Sequence, residues 1–589
     1  MNISIFSRAC RLFAIGVALF SSASCIYIDE TLGKDFIPTD HTWDVYPCEA
    51  VTLQGITMAN SDKLSGYSTR RFTFGAVRDN NFVCNKSTSF TLVPLDKNID
   101  FGKETDGYPI VRQFHLSAVR DTLSMVYDYQ KKVIQNVYVH ELKKPLDSTI
   151  LYSSTNLSEL AVTDRLITEG VPVYSGGDSL SLDFSKEYAA SLIRKIREFQ
   201  SLEGEEGDSL NVYLKHVPGI VISTDQKTEN GGRINMFEVT MQTGSGYITG
   251  NYAELKITGK YDYSEEPVDT SFLFYFGPSD FLKDDDTSYP AQYAFNASDN
   301  RTVEADFLEK WQNSTKENIY VEGGSGLKPV VKASEIREII SSLVKEKQDA
   351  GNSINENEIV INKATIMLPY NVGTDYDRLE KYPMILSPTV RLTSNNEEYI
   401  TYAGLTDSSI ESENHGDINR SLHMYCPDIS HHVQEIASLR QGVGEDVPAN
   451  ESDADFLKRL EKYDIWMLIM HEEITETSTD SSYDDYYNNL LYNSYYNNMM
   501  YDPYGYGYGY GGYGYGYGGY GYDSYGYNNY YNYYMMAAYA SASSSSSSTT
   551  SSSIELDTDR FYGAILNGPG ASGEKPQLKI TFSAPKKAE

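Results

Sequence analysis

The chain has little positive charge for its length and no long hydrophobic run beyond its first residues. Lysine and arginine total 49 against 82 aspartates and glutamates, so the formal net charge is −33 at pH 7. A surface this acidic repels nucleic acid and anionic headgroups, which argues against a DNA- or RNA-binding role. After residue 25, no apolar stretch reaches the roughly 20 residues that a spanning helix needs. Attachment to a membrane would therefore depend on a lipid.

The first 24 residues have the pattern of a lipoprotein signal peptide. Arg8 and Arg11 supply positive charge, residues 12–20 are apolar, and residues 22–24 are the small side chains that a signal peptidase needs. Cys25 follows at once, which predicts cleavage before it and its acylation as the new N-terminus. The alternative is an ordinary secretory signal in which Cys25 has no role. Residues 25–45 are expected to form a tether.

Cysteine is scarce, with five in the whole chain. Cys10 leaves with the signal and Cys25 carries the lipid. In an oxidising compartment, Cys48 and Cys84 are the plausible local disulfide, which leaves Cys426 free. No Cys-x-x-Cys pair occurs, so a zinc ribbon or a thioredoxin-like site has no support.

Alternating apolar and polar residues dominate the rest of the chain. The alternation predicts half-buried antiparallel strands at residues 252–261, 364–368 and 578–582. Helical periodicity predicts few helices: residues 186–199, a run capped by Ser334 that stops near Gly351, and one that starts near Ser430. Many short strands and few helices predict a mainly β protein with two jelly-roll-like β-sandwich domains, residues 46–300 and 301–589.

A low-complexity tract, residues 478–555, interrupts the second domain. Twenty-three of the chain's fifty tyrosines fall between residues 483 and 539, interleaved with glycine and asparagine and followed by serines. The tract lacks aliphatic side chains for a core and is predicted to be a disordered loop insertion. Its flanks, residues 465–470 and 561–566, have the composition of strands. The tract is either an adhesive, partner-seeking arm or neutral drift in a permissive loop.

Several segments in fixed order resemble one known family. They are residues 32–38 (LGKDFIP), 119–123 (VRDTL), 137–142 (VYVHEL), 214–220 (LKHVPGI), 320–326 (YVEGGSG), 361–368 (INKATIML) and 575–582 (KPQLKITF). Together they resemble the Bacteroidota lipoprotein family catalogued as domain of unknown function 4270, over nearly the whole mature chain except the tyrosine tract. The resemblance implies an outer-membrane, lipid-anchored protein, surface exposed in many members and without assigned catalytic residues. It also implies association with envelope assembly or nutrient-uptake machinery.

The same resemblance implies O-glycosylation. Bacteroidota acceptors follow an Asp-Ser/Thr pattern, and the chain has four such positions: Thr122, Ser148, Ser179 and Ser209.

Signatures of catalysis and metal binding are weak. His423 and Cys426 are spaced so that both could reach one metal, and imidazole and thiolate are good zinc ligands, but nothing completes a set of four. The alternative is a capped surface helix. His471 is followed by two glutamates but lacks the second histidine of a zincin, and no nucleophile elbow occurs. We therefore expect no catalytic residue, no metal and no cofactor.

The sequence thus predicts a non-catalytic interaction subunit of an envelope complex, anchored by its lipid. The first alternative is a lipoprotein that binds surface glycans or another ligand, which requires exposed aromatic rings on a concave sheet face. Of the three tryptophans, Trp43, Trp311 and Trp466, the last falls in a predicted core strand. A hydrolase is the second alternative.

Overall fold

The computed structural model describes residues 43–48, 50–96, 98–121, 133–146, 152–202, 209–239, 241–244, 247–277, 294–302, 306–371, 379, 381–393, 400–410, 415–444, 447–477 and 549–586. Cys25, Thr122, Ser148 and residues 478–548 of the tyrosine tract lie outside these residues.

The described residues are mainly strands. Strands β1–β9 span Trp43–Pro47, Val51–Thr52, Thr57–Asn60, Tyr67–Ser68, Arg71–Arg78, Phe82–Pro94, Ile110–Val119, Gln135–Asn136 and Tyr138–Glu141. Strands β10–β18 span Val173–Tyr174, Ser179–Asp183, Ile220–Ser223, Gly231–Glu238, Met241–Gly244, Tyr247–Gly250, Tyr252–Gly259, Val268–Gly277 and Ala294–Thr302. Strands β19–β29 span Asn318–Glu322, Leu327–Val331, Val360–Pro369, Ile385–Thr393, Ile400–Gly404, Ile418–Asn419, Met424–Tyr425, Ile465–Thr477, Thr549–Leu556, Gly563–Asn567 and Gln577–Pro585.

Helices are short and few in the described residues. Helices α1–α8 span Leu157–Leu160, Lys186–Ser201, Ser209–His216, Phe307–Gln312, Ala333–Asp349, Thr406–Ile410, Ser430–Ser438 and Asp453–Leu460, with 3₁₀ turns at Glu356–Glu358 and Glu461–Tyr463. Among them, no helix has both the length and the apolar composition needed to cross a bilayer. The predicted mainly β, sandwich-type fold is confirmed.

Strands β4–β18 with helices α1–α3 are called the first half below, and strands β1–β3 and β19–β29 with helices α4–α8 the second half. The first half is organised around the long strand β6. Its first part pairs with β5 and β18, and its last part pairs with β17 and β12, so one strand belongs to two layers. One layer continues from β17 through β16 and β7 to β11. Apolar side chains from both layers and from α2 fill the space between them. Helix α2 is the predicted helix of residues 186–199, and the Ser185 hydroxyl caps it by accepting a hydrogen bond from the Tyr188 amide.

In the described residues, the second half contains two larger antiparallel sheets and the two-stranded sheet β19–β28. One has the order β1-β29-β21-β25-β24, and the other β23-β22-β26-β20-β3. The main core lies among these sheets and helices α5 and α7, and a smaller apolar cluster that includes Trp466 lies on the other face of β26. The predicted strands at residues 364–368 and 578–582 are β21 and β29, which pair with each other. Helix α5 begins at Ala333, and its first amide is capped by the Asp464 carboxylate rather than by Ser334.

The boundary predicted at residue 46 needs a correction. Strand β1 pairs with β29, with Trp43 opposite Pro585, and β3 pairs with β20, with Asn60 opposite Leu327. The first three strands therefore belong to the sheets of the second half. Strand pairing joins residues that are far apart in sequence, and the local pattern of β1–β3 contains nothing that identifies their partners.

The tyrosine tract emerges from a strand pair. Strands β26 and β27 form an antiparallel ladder that runs from Met470 opposite Leu556 to Thr477 opposite Thr549. The sequence predicts residues 549–555 as part of the disordered insertion, but they belong to strand β27. The predicted flanking strands are confirmed as β26 and β28. Residues 478–548 connect two residues that face each other across a ladder.

Candidate functional site

A buried ion-pair cluster joins the two halves of the protein. Arg71 on β5 is 5% exposed, and its Nε donates to Asp121 Oδ2 at 2.7 Å. Its Nη1 donates to Asp559 Oδ2 at 3.2 Å, across from the first half to the second. Next to it, Lys86 donates to the carbonyl oxygen of Thr558. Buried charges need such partners because desolvation is costly, so the cluster fixes how the halves meet.

The glycine-rich turn at residues 323–326 lies in the same junction. Ser61 Oγ donates to the carbonyl oxygens of Gly324 and Gly326 at 3.0 and 3.1 Å, and the buried Lys328 ammonium donates to the same two carbonyls. Burial lowers the pKa of Lys328 and raises the pKa of Glu322, whose carboxylate accepts the Leu327 amide. Gly324 has φ +53°, and a Cβ there would lie 2.5 Å from Ser298 Oγ. The turn is therefore held in place by contacts with Ser61, Lys328 and Ser298 and has a structural role.

Another buried carboxylate, that of Asp557, lies where the β26–β27 ladder starts. Asp557 Oδ2 accepts hydrogen bonds from Arg560 Nη1 at 2.8 Å and from the Tyr562 hydroxyl at 2.6 Å, and His471 Nδ1 is 3.9 Å away. Burial alone would raise the pKa of Asp557, but Arg560, His471 and Tyr562 together hold it well below its usual range. The carboxylate is therefore charged, and it ties β26 to the segment that leads into β28.

The first half presents a hydrogen-bonded Ser-His-Asp chain on its outer surface. Ser181 Oγ is 3.4 Å from His115 Nε2, and His115 Nδ1 is 2.9 Å from Asp183 Oδ1. Gln113 also donates to Asp183 Oδ1, at 3.0 Å. Burial acts to raise the pKa of Asp183, but the bonds from Gln113 and His115 outweigh it, and the pKa is lowered. Ser181 is exposed.

This arrangement has the order of contacts of a catalytic triad. In such a triad, a histidine takes the serine proton while a carboxylate holds the opposite ring nitrogen. Here β11 supplies Ser181 and Asp183 on one face, and β7 places His115 directly opposite Asp183. No sequence motif links residues on paired strands, so this arrangement is not predicted from the sequence. The alternating Ser-x-Asp in β11 was the local signal available.

The predicted disulfide between Cys48 and Cys84 is wrong in the structure, where both are free thiols. Cys48 lies in the core of the second half, because its amide bonds to Ile580 beside the β1–β29 pair. Cys84 lies in a separate apolar cluster with Phe82 and Phe561. The two cysteines are near in sequence, but β1 places Cys48 in the second half. Cys426 is free as expected, and half-buried.

The structure does not assemble a metal site around His423 and Cys426. His423 has φ +52° and its ring packs on Tyr370, with 5.8 Å between centroids. His432 is buried and its Nε2 is 2.9 Å from the Tyr463 carbonyl oxygen. Within the described ranges, no group of three or more histidine, cysteine, aspartate or glutamate side chains is arranged to hold a metal.

The helix predicted near Ser430 is α7, and two carboxylates accept hydrogen bonds from its first amides. Asp428 accepts the Ser430 amide at 2.9 Å. The next two amides, of His431 and His432, donate to the Asp407 carboxylate at 2.6 and 3.1 Å. A carboxylate at a helix N-terminus satisfies free amides and the helix dipole. These polar residues therefore serve the helix.

Two of the four predicted glycosylation sites lie in the described residues. Ser179 is exposed at the start of β11, and the preceding Asp178 pairs with Arg120 at 3.2 Å. Ser209 begins helix α3. Ser179 is therefore accessible to a transferase.

The tryptophans are unevenly placed for binding a glycan. Trp311 and Trp466 are buried, as was predicted for Trp466, whereas Trp43 is 47% exposed at the edge of a sheet. A search of protein-family models, curated proteins and solved structures finds no match to this chain.

Proposed function

We propose that the chain is a lipid-anchored outer-membrane protein, a member of the lipoprotein family that it resembles, and a non-catalytic interaction subunit of an envelope complex for assembly or uptake. The sequence from Arg8 to Cys25 supports the anchor. The order of the seven family-like segments supports the membership.

The observation that carries the interaction role is the β26–β27 ladder. Because Thr477 and Thr549 face each other, residues 478–548 leave and rejoin the fold at one place. Loop-closure entropy grows slowly with length, so the sandwich tolerates the long segment. Tyrosine is enriched at protein interfaces because its ring buries a large area and its hydroxyl forms hydrogen bonds. A tyrosine-rich segment displayed from one point of a scaffold suits partner binding.

A gentle-detergent pull-down from native membranes tests this role. The tagged wild-type protein should recover a stoichiometric partner. A variant with residues 478–548 replaced by an Asn-Gly turn, which suits a two-residue hairpin, should keep its tryptophan emission and lose the partner. Cys25→Ala should move the protein to the soluble fraction.

Each part of the pull-down experiment has an outcome that would contradict the proposal. A partner retained by the Asn-Gly variant would show that the tract is dispensable drift. Wild-type protein recovered alone would favour the glycan- or ligand-binding alternative. An unchanged membrane fraction for Cys25→Ala would contradict the lipid anchor.

One observation favours a second candidate function, hydrolysis of acyl esters. The Ser181-His115-Asp183 chain places an exposed hydroxyl beside an oriented imidazole. The 3.4 Å contact is longer than a strong hydrogen bond, but nucleophile–base contacts are often looser before substrate binds. In this role Ser181 Oγ attacks the ester carbonyl while His115 accepts its proton, and Asp183 stabilises the imidazolium. His115 then gives the proton to the alcohol as the ester C–O bond breaks, and a water molecule, deprotonated by His115, hydrolyses the acyl group from Ser181.

Labelling with a fluorophosphonate probe tests the hydrolase. An activated Ser181 should form a covalent adduct detectable by peptide mass spectrometry, and His115→Ala should abolish the adduct. Ser117→Ala is the matched control, because Ser117 lies directly opposite Ser181 and should not affect labelling. Absence of an adduct on wild-type Ser181 would exclude this function.

A further inference from the structure

Three adjacent strands of the second half have apolar side chains on their outer face. In β1 the side chains alternate: Tyr46 stacks on the core residue Phe582, with centroids 5.3 Å apart, so Trp43 and Val45 point outward. Trp43 is 47% and Val45 59% exposed.

The register brings further apolar residues to the same face. Val45 is opposite Ser583 on β29, and Ser583 is opposite Val360 on β21, so the three lie in one row. Trp43 is opposite Pro585 in the next row. Val360 is 41% exposed. We call Trp43, Val45, Val360 and Pro585 the Trp43 face.

The charges around the Trp43 face are opposite in sign to those of the chain as a whole. On the same side of the sheet, Lys363 is opposite Thr581, and Lys579 is opposite Thr365. Both lysines are exposed, as is Lys586 directly after β29. The exposed acids closest in sequence to these strands are Glu358, two residues before Val360, and Glu574, three residues before β29, whereas Asp44 lies on the opposite side of β1. In a chain with a net charge of −33, the outward strand positions here carry lysine.

The Trp43 face is also the first part of the structure after the proposed anchor. Seventeen residues separate Cys25 from Trp43. Even fully extended, they span no more than about 60 Å, at up to 3.6 Å per residue. Indole rings favour the membrane–water interface, and lysines near such a surface attract anionic headgroups. Three observations favour a lipid surface as what covers this face: its continuity with the anchor, its exposed indole and its lysines.

We propose that the Trp43 face rests on the lipid surface and orients the second half of the protein against the membrane. This inference depends on the proposed lipid anchor at Cys25. The acyl chains hold the protein near the bilayer, and Trp43, Val45 and Val360 then enter the headgroup region. Lys363, Lys579 and Lys586 contact anionic lipid beside them.

Tryptophan quenching in vesicles tests the inference. The full lipidated protein is reconstituted into vesicles of phosphatidylethanolamine and phosphatidylglycerol with brominated acyl chains, and its flotation and emission are measured. The brominated chains should quench the emission of Trp43. Because Trp311 and Trp466 are buried, any quenching can be attributed to Trp43. The Trp43→Phe variant should float as the wild type does, and brominated lipid should not lower its remaining emission. Val45→Glu with Val360→Glu should float and lose the quenching.

The readouts separate this inference from the proposed anchor. Loss of flotation would overturn the anchor, and the resting surface with it. Flotation without quenching would overturn the resting surface alone. Protection of Trp43 from iodide in native membranes, without quenching by brominated lipid, would mean that a protein covers the face, and would also overturn the lipid assignment.

Discussion

Replacing Arg71 with methionine should lower the free energy of unfolding by about 3–5 kcal/mol, because removing one partner of a buried ion pair leaves uncompensated buried charge. Asp121 and Asp559 would both lose the guanidinium that now contacts them. The side-chain volume is nearly conserved, so the effect reports the lost charge. Urea unfolding followed by tryptophan emission measures it, since Trp311 and Trp466 are buried in the second half.

The neighbouring Arg70 is the matched control. Its Nη2 contacts Glu555 Oε1 at 2.7 Å, but both side chains are about one-third exposed. Exposed ion pairs contribute little, so Arg70→Met should change the unfolding free energy by less than about 1 kcal/mol. Equal effects of the two substitutions would contradict the role given to burial. Replacing Arg71, Asp121 and Asp559 together with apolar residues should recover much of the loss.

Asp557→Asn should have a similarly large effect, and one that depends on pH. At pH 7 the loss should be about 3–5 kcal/mol, because Arg560 is left without its buried carboxylate partner. The pKa of Asp557 is lower in the folded than in the unfolded protein. Its contribution is therefore complete above the unfolded-state pKa of about 3.9 and is lost as the pH falls below it.

Unfolding curves at pH 7 and at pH 3 measure this difference. The gap between wild type and Asp557→Asn should be smaller at pH 3. A gap that stays constant would show that packing, and not charge, gives Asp557 its effect. Asp106 is a suitable comparison: a hydrogen bond from Lys260 also lowers its pKa, but the residue is exposed. Asp106→Asn should leave the curves unchanged at both pH values.

The sequence predicted local structure better than long-range structure. Strand β16 and helix α2 follow from periodicity, since each buries one face and the burial pattern is present in neighbouring residues. The pairing of β1 with β29 had no such signal, because any edge strand with one apolar face fits many partners. The predicted Cys48–Cys84 disulfide is wrong for the same reason, because closeness in sequence does not imply closeness in space.

The candidate sites show the same limit. Arg71 and Asp559 lie on strands and loops from opposite ends of the chain, and Ser181 meets His115 only through strand register. A serine, a histidine or an arginine gives no sign in the sequence of which distant group it will contact. Motif searches detect chemistry confined to one segment, whereas the Arg71–Asp559 and Ser181–His115 contacts join residues that are distant in sequence.

The pairing of Thr477 with Thr549 makes this hairpin a natural grafting position. Facing residues in an antiparallel ladder have Cα atoms only about 5 Å apart, so a folded cargo whose own termini are adjacent fits there without stretching the strands. A fluorescent reporter or an epitope inserted in place of residues 478–548 would be carried at the same point of the scaffold.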